Sequence, residues 1–200
     1  MPPSDLTFDL SSRSPAMVET MQQLAMHALE PTPLILVGVS GAGKTLWARM
    51  VHQWSGRRGA FVVMSAAELR SSHADRELCG DLRGAGLFAA AREGTILLNG
   101  FQNLKLSCQK TLLDVIEARL YRPVGSDQSI ALDCRVVIGV DEDPDLLVMA
   151  GRLHPHLRYR CGLAVVRVPS VEERRVGVFN RSTAVVNPGT EPAPGLAYPE

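Results

Sequence analysis

Short apolar runs rich in β-branched residues recur along the chain at Leu34–Val37, Phe61–Met64, Thr95–Leu98, Arg135–Val140 and Leu163–Val168, separated by segments long enough for helices. Runs that are apolar at every position, without polar alternation, predict strands buried on both faces, as in a parallel sheet covered by helices. Ahead of the first run, Ser14-Pro15 reads as a helix N-cap with proline in the first turn. Met17, Met21, Leu24 and Ala28 then fall on one helical face, and the helix is expected to stop near Glu30-Pro31. A second helix is predicted from Leu46 to Trp54, with Trp47, Val51 and Trp54 at helical spacing. The clearest amphipathic segment spans about Ser107 to Leu120, where Leu112, Ile116 and Leu120 repeat every fourth residue. Turn residues between Tyr121 and Leu132 predict a small hairpin beside that helix, and Pro188, Pro192, Pro194 and Pro199 break any regular pattern in the last residues, predicting disorder.

Composition narrows the class without naming it. Two hundred residues, 46% hydrophobic and 21% charged, suit one globular α/β domain. The formal charge is zero, so no basic excess points to nucleic-acid binding by the chain itself. The four cysteines, Cys79, Cys108, Cys134 and Cys161, form no C-x-x-C pair, which argues against a zinc ribbon or a disulfide framework. Met-Pro-Pro-Ser-Asp does not open a secretory signal and no apolar run approaches bilayer length, so a cytoplasmic protein is expected. On that expectation the glycosylation pattern Asn180-Arg181-Ser182 carries no meaning.

The chemistry lies in Gly38-Val39-Ser40-Gly41-Ala42-Gly43-Lys44-Thr45, which satisfies G-x-x-x-x-G-K-[ST] directly after one predicted strand and directly before a predicted helix. In such a phosphate-binding P-loop the glycines let successive N–H groups turn inward at phosphate oxygens. Lys44 supplies a cation for the β- and γ-phosphates, and the Thr45 hydroxyl can ligate Mg²⁺. ATP or ADP with Mg²⁺ is the expected ligand, and the helix N-terminus adds to the anion site.

Further segments, in order, resemble the central AAA+ domain of bacterial sigma-54-dependent transcriptional activators. They are Phe61 to Leu69, Gly86-Leu87-Phe88-Ala89-Ala90-Ala91, Gly94-Thr95-Ile96-Leu97-Leu98, Gln109-Lys110-Thr111-Leu112-Leu113, Arg122-Pro123-Val124-Gly125, Cys134 to Ile138, Gly151-Arg152-Leu153 and Val168 to Arg175. The resemblance implies a P-loop NTPase domain over residues 14–176, preceded by an extension (1–13) and followed by a Pro/Gly-rich tail (177–200).

The departures from that family are informative. Where the resemblance implies an Asp-Glu pair at the end of the third strand, for Mg²⁺ and for polarising water, the chain has Asn99 and Gly100. Asn99 keeps an amide oxygen for a Mg²⁺-bound water but no charge, and Glu93 and Asp114 are the carboxylates nearby in sequence that could substitute. General-base assistance contributes typically ~10²–10⁴ in rate, so hydrolysis is expected to be close to absent. The Thr-Asn of the sensor strand becomes Val140-Asp141, placing a carboxylate where phosphates are expected. Of two trans-acting arginine fingers the first has become His154 and the second survives as Arg160. His154 and His156 form an H-x-H pair whose members are expected to point apart on a helix. The GAFTGA loop that the family uses to touch sigma-54 is missing, because Glu77-Leu78-Cys79-Gly80-Asp81-Leu82-Arg83-Gly84 runs almost directly into Gly86-Leu87-Phe88. A helical lid, a receiver domain and a DNA-reading helix-turn-helix are likewise not found in the sequence.

The sequence therefore predicts an ATP-binding, non-hydrolysing AAA+ protein that modulates transcription by associating with full-length activators or with itself, without direct contact to sigma-54, DNA or membrane. Two other readings stay open: a divergent P-loop ATPase or small-molecule kinase using another carboxylate, and a decayed paralogue without a selected role.

Overall fold

The computed structural model describes residues 14–69, 74–161 and 164–174. The N-terminal extension, the Pro/Gly-rich tail, Arg175 and the glycosylation pattern all lie outside them. Five strands form one parallel sheet: β1 (Leu34–Val37), β2 (Phe61–Ser65), β5 (Thr95–Asn99), β8 (Arg135–Val140) and β9 (Val165–Arg167), in the spatial order β2-β5-β8-β1-β9. Each coincides with a predicted apolar run, though β9 is shorter than its run and Leu163 lies outside the described residues. Two-residue strands β3 (Gly80–Asp81) and β4 (Gly84–Ala85) make one hairpin, and β6 (Leu120–Tyr121) and β7 (Ile130–Ala131) make a second, where the turn signals predicted one.

Strand periodicity divides the interior into two cores. Leu34, Leu36, Leu97 and Val137 turn to one face, against Trp47, Ala48 and Val51 of α2 (Lys44–Trp54) and Leu24 of α1 (Pro15–Ala28). Ile35, Ile96, Leu98, Val136 and Ile138 turn to the other, where they meet Leu112, Leu113 and Ile116 of α5 (Leu106–Ala118) and Phe88 of α4 (Leu87–Ala90). The central strands are thus covered on both faces, the expected reason for apolar runs without alternation. α3 (Ala74–Cys79), α6 (Pro144–Met149) and α7 (Pro155–Cys161) complete the shell.

Two helix boundaries differ from the sequence reading. α2 begins at Lys44, not Leu46, because Gly43 at φ 86° serves as its N-cap and the phosphate loop passes straight into the first helical turn. α5 ends at Ala118 with Arg119 left-handed at φ 55°, so Leu120 leaves the helical face and sits 45% exposed in the β6–β7 hairpin.

One buried charge ties the layers together. Arg135, 1% exposed at the start of β8, donates to the carbonyls of His27 and Ala28 at the C-terminal end of α1. These are among the last carbonyls of a helix, which have no intrahelical partner, and the guanidinium also complements the negative end of the helix dipole.

Candidate functional site

The carboxyl ends of β1, β2, β5 and β8 converge on a cleft of about 350 Å³, with Gly41, Lys44, Thr45, Ser65, Asn99 and Asp141 among its walls. In open parallel sheets this edge is where ligands bind. The loop after β1 is shaped by its glycines. Gly41 and Gly43 are left-handed, at φ 80° and φ 86°, a conformation that side chains disfavour. Gly38 has no left-handed φ; its requirement is space, because a Cβ there would lie 3.0 Å from the carbonyl oxygen of Val168 beyond β9.

Lys44 is 5% exposed, and its ammonium is fully engaged within the protein. It donates to the carbonyls of Gly38 at 2.5 Å and Val39 at 3.3 Å, and to Asp141 Oδ1 at 2.6 Å. An ammonium has three N–H donors, so the three contacts match its capacity. The other oxygen of Asp141 accepts from Gln102 Nε2 at 2.8 Å. Gln102 lies in a short 3-10 turn, Phe101–Asn103, directly after β5.

Asn99 closes β5, and its Oδ1 is buried with no donor. It lies across β8, where Gly139 leaves room: a Cβ at Gly139 would sit 2.7 Å from that oxygen. Gly100 is left-handed, φ 68° and ψ 30°. The oxygen donors of Thr45, Ser65, Asn99 and Asp141 suit a hard cation such as Mg²⁺ in kind, and the orphaned Asn99 Oδ1 is the atom most in need of a partner.

Of the residues singled out in the sequence, Ser40, Gly41, Gly43, Lys44, Thr45, Asn99 and Asp141 line this cleft. Gly38, Val39 and Ala42 belong to the loop but are not among the cleft walls. Arg160 is exposed on α7 and is not among the cleft walls. Glu93 and Asp114 do not line it either. Glu93 sits in the turn before β5, at the opposite end of the strand, and Asp114 pairs with Lys110 on the face of α5 at 3.1 Å. Among the described residues the carboxylate lining the cleft is Asp141.

His154 and His156 do not point apart. His154 precedes α7, outside the helix, so the two rings meet edge to face with centroids 5.4 Å apart. Among the described residues no three His, Cys, Asp or Glu side chains converge to hold a metal.

Three participants escaped the sequence reading. Gln102 belongs to no motif, Ser65 is part of the family-like Phe61 to Leu69 segment without a role of its own, and the strand register brings both to the cleft. Arg174 donates from Nε to Pro169 O at 3.0 Å, and its guanidinium lies 3.4 Å from where a Cβ on Gly43 would be, with one terminal nitrogen buried and unpaired. Gln109, on the family-like helix, braces the structure away from the cleft. Its side-chain amide donates to the carbonyls of Leu104 and Arg152 and accepts from the His154 N–H. The four cysteines are all buried. Burial pushes the thiols of Cys79 and Cys134 up to about 11 and that of Cys161 to about 12, which leaves them unreactive.

The segment from Glu77 to Gly86, where the resemblance implies a contact loop, is short and closed. β3 and β4 pair antiparallel, and Asp81 Oδ1 accepts from the backbone N–H groups of Arg83 at 2.8 Å and Gly84 at 3.0 Å. Those hydrogen bonds hold the Asp81 carboxyl below the usual carboxylate range, with Arg76 and Arg83 adding to the effect.

A parallel sheet with a Gly-rich loop entering a helix at its carboxyl edge defines the P-loop NTPase fold of AAA+ proteins. The family model for the sigma-54 interaction domain matches residues 10–168, and the chain belongs to that family. It is 32% identical to the regulatory protein AtoC of Escherichia coli strain K12 over 174 residues, covering 82% of this chain and 38% of that protein. It is 33% identical over 175 residues to the C4-dicarboxylate transport transcriptional regulatory protein DctD of Pseudomonas aeruginosa, covering 82% and 38%. Against the transcriptional activator RocR of Bacillus subtilis it is 31% identical over 183 residues, covering 86% and 40%. The chain thus spans about two fifths of the length of these relatives. Among solved structures, NtrX of Brucella abortus in complex with ATP superposes with a TM-score of 0.75 at 26% identity, covering 82% of this chain and 39% of NtrX. Among the described residues no helix is long and apolar enough to cross a membrane.

Proposed function

We propose that this chain is a nucleotide-binding, non-hydrolysing member of the sigma-54 interaction family that modulates transcription by associating with full-length activators. The observation that carries the proposal is the pairing of a formed Gly38–Thr45 loop with a β5 end that bears Asn99 and Gly100. Phosphates would be cradled by the loop backbone and by Lys44, and Mg²⁺ would be held by Thr45 with water on Asn99. NtrX, a structural relative crystallised with ATP and with ADP, supports nucleotide as the ligand. In Asn99 and Gly100 neither position offers a base for the attacking water. Asp141 favours residual catalysis only at first sight, because both of its oxygens are engaged, one by Lys44 at 2.6 Å and the other by Gln102 at 2.8 Å.

The association half rests on Arg160 and on the β3–β4 turn. Arg160 is exposed and away from its own cleft, as a residue acting on a neighbouring subunit's phosphate has to be. The tight turn offers no long loop for direct contact with sigma-54, so the partner is another AAA+ subunit, either a full-length activator or a second copy.

A thermal-shift titration with Mg-ATP tests the first half. Ligand at ~100 times its dissociation constant adds about 2.7 kcal/mol of stability, so the wild type should shift while Lys44→Ala stays nearly still. Phosphate release should be no faster than that of Lys44→Ala. Co-purification with a full-length activator, weakened by Arg160→Ala, tests the second half; no association with or without ATP removes it.

A further inference from the structure

The Lys44–Asp141 pair changes what the cleft should prefer to bind. Lys44 Nζ, the one side-chain cation of the loop, is already met by Asp141 Oδ1 at 2.6 Å, and by two carbonyls. The carboxylate is not a loose surface group: Gln102, itself 5% exposed, grips its second oxygen at 2.8 Å. Asp141 follows directly on β8, whose register against β1 sets Val37↔Val140, so it is built into the sheet edge opposite the loop.

A terminal phosphate that reached Lys44 would become its second anionic partner. Two oxygens on one ammonium lie at most about 5–6 Å apart, twice a hydrogen-bond length. At that distance, in a partly buried cleft, two anions repel strongly. Either Asp141 gives up the lysine or the phosphate stays short of it. The β-phosphate common to both nucleotides would rest on the loop backbone, whereas only a triphosphate would add a γ-phosphate as a further anion beside the Lys44–Asp141 pair, so the repulsion falls more heavily on the triphosphate.

We infer that Asp141 is an internal counter-anion of the phosphate-loop lysine that makes this cleft select nucleoside diphosphate over nucleoside triphosphate. The inference rests on the nucleotide-binding reading above and names the ligand of that same site. Gln102 acts through Asp141 as its positioning residue, turning one carboxylate oxygen to Lys44 by occupying the other.

The test is a titration of the full chain with fluorescent N-methylanthraniloyl derivatives of ADP and ATP, with and without Mg²⁺. Wild type, Asp141→Asn and Asp141→Ser are compared, each checked for folding by circular dichroism. Wild type is expected to bind the diphosphate more tightly. Asp141→Asn should tighten the triphosphate by about tenfold or more, the factor a single charged contact commands, and the diphosphate much less. Asp141→Ser should move the preference the same way, so the result does not depend on one replacement. A preference unchanged in both variants overturns the inference while leaving nucleotide binding intact. Weaker triphosphate binding in both variants also overturns it, and marks Asp141 as a metal ligand instead. Failure of every protein, wild type included, to bind either analogue removes the nucleotide reading and this inference with it.

Discussion

Restoring the acidic pair should not restore turnover, and the structure says why. Consider Asn99→Asp with Gly100→Glu. Gly100 has φ 68° and ψ 30°, and a side chain in that left-handed region costs roughly 1–2 kcal/mol. A Cβ there would also come within 3.4 Å of Asn103 Nδ2, so sterics adds little and the backbone conformation is the main penalty. At position 99 the change is electrostatic. Asn99 Oδ1 is buried with no donor, and a carboxylate in its place would lack the hydrogen bonds that a buried charge needs. It could not draw on Lys44, which Asp141 already holds at 2.6 Å. An unpaired buried charge costs several kcal/mol after relaxation. The double variant should therefore lose about 3–5 kcal/mol of folding free energy, out of the ~5–15 kcal/mol typical of a domain. Urea unfolding monitored by circular dichroism reads the loss, and a phosphate-release assay against Lys44→Ala reads turnover. Adding Asp141→Asn to the double variant should recover part of the stability, because the second carboxylate then has Lys44 to itself. The reasoning is refuted if the double variant unfolds within about 1 kcal/mol of wild type and releases phosphate in a Lys44-dependent manner.

Two further outcomes follow from buried charge. Burial, with Arg57 nearby, pulls the Arg135 guanidinium down to about 10, so its charge costs stability at neutral pH even as it caps α1. Arg135→Ala removes the charge but takes the guanidinium donors from the His27 and Ala28 carbonyls and leaves a cavity in the core, and should destabilise by about 3–5 kcal/mol in denaturant unfolding. Arg135→Met fills the space and sheds the desolvation cost, so its loss should be smaller. Burial, then Arg49 and Arg57, also lower His52, whose Nδ1 lies 3.0 Å from Thr95 Oγ1. The unfolded chain then binds the proton more readily than the folded one, so stability should fall as pH drops through about 6.5, the ordinary histidine value. His52→Gln should flatten that stretch of the stability profile.

Much of this fold was legible because apolar runs and glycine spacing act locally. Leu34–Val37 and the loop after it can be read in sequence order, since the strand, the turn and the helix that make the site are contiguous. The Lys44–Asp141 pair was not legible, because it joins residues 97 positions apart through the β1–β8 register. The same limit hid Gln102: nothing in its neighbourhood marks it, and its role exists only because β5 ends beside β8. Gly100 could be read as standing where the family resemblance implies a glutamate, but not as a left-handed residue, since a glycine in sequence reveals freedom and not its use. The H-x-H pair misled for a simpler reason. His154 lies one residue before α7, outside the helix, and ring directions there do not follow the 100° helical step.

The β3–β4 turn bears on whether the departures reflect decay or a different role. A chain that merely loses a loop leaves cut ends to be closed by whatever residues remain. Here the closure is internally satisfied: Asp81 accepts from two backbone N–H groups and pairs with Arg76 at 3.1 Å, and the Gly80 carbonyl accepts from Val124 N–H at 2.9 Å. Gly80 supplies the left-handed φ of 81° that the corner requires, and a Cβ on Gly86 would collide with the backbone of Leu78, Cys79 and Gly80. Asp81→Ala should test the point, because it removes three contacts of one side chain at a largely exposed corner far from the cleft. If the turn is a built feature, proteolysis at Leu82-Arg83 should become faster in that variant while nucleotide affinity holds; unchanged cleavage would mean that the hairpin needs none of these contacts, and the argument from its construction against decay would fall.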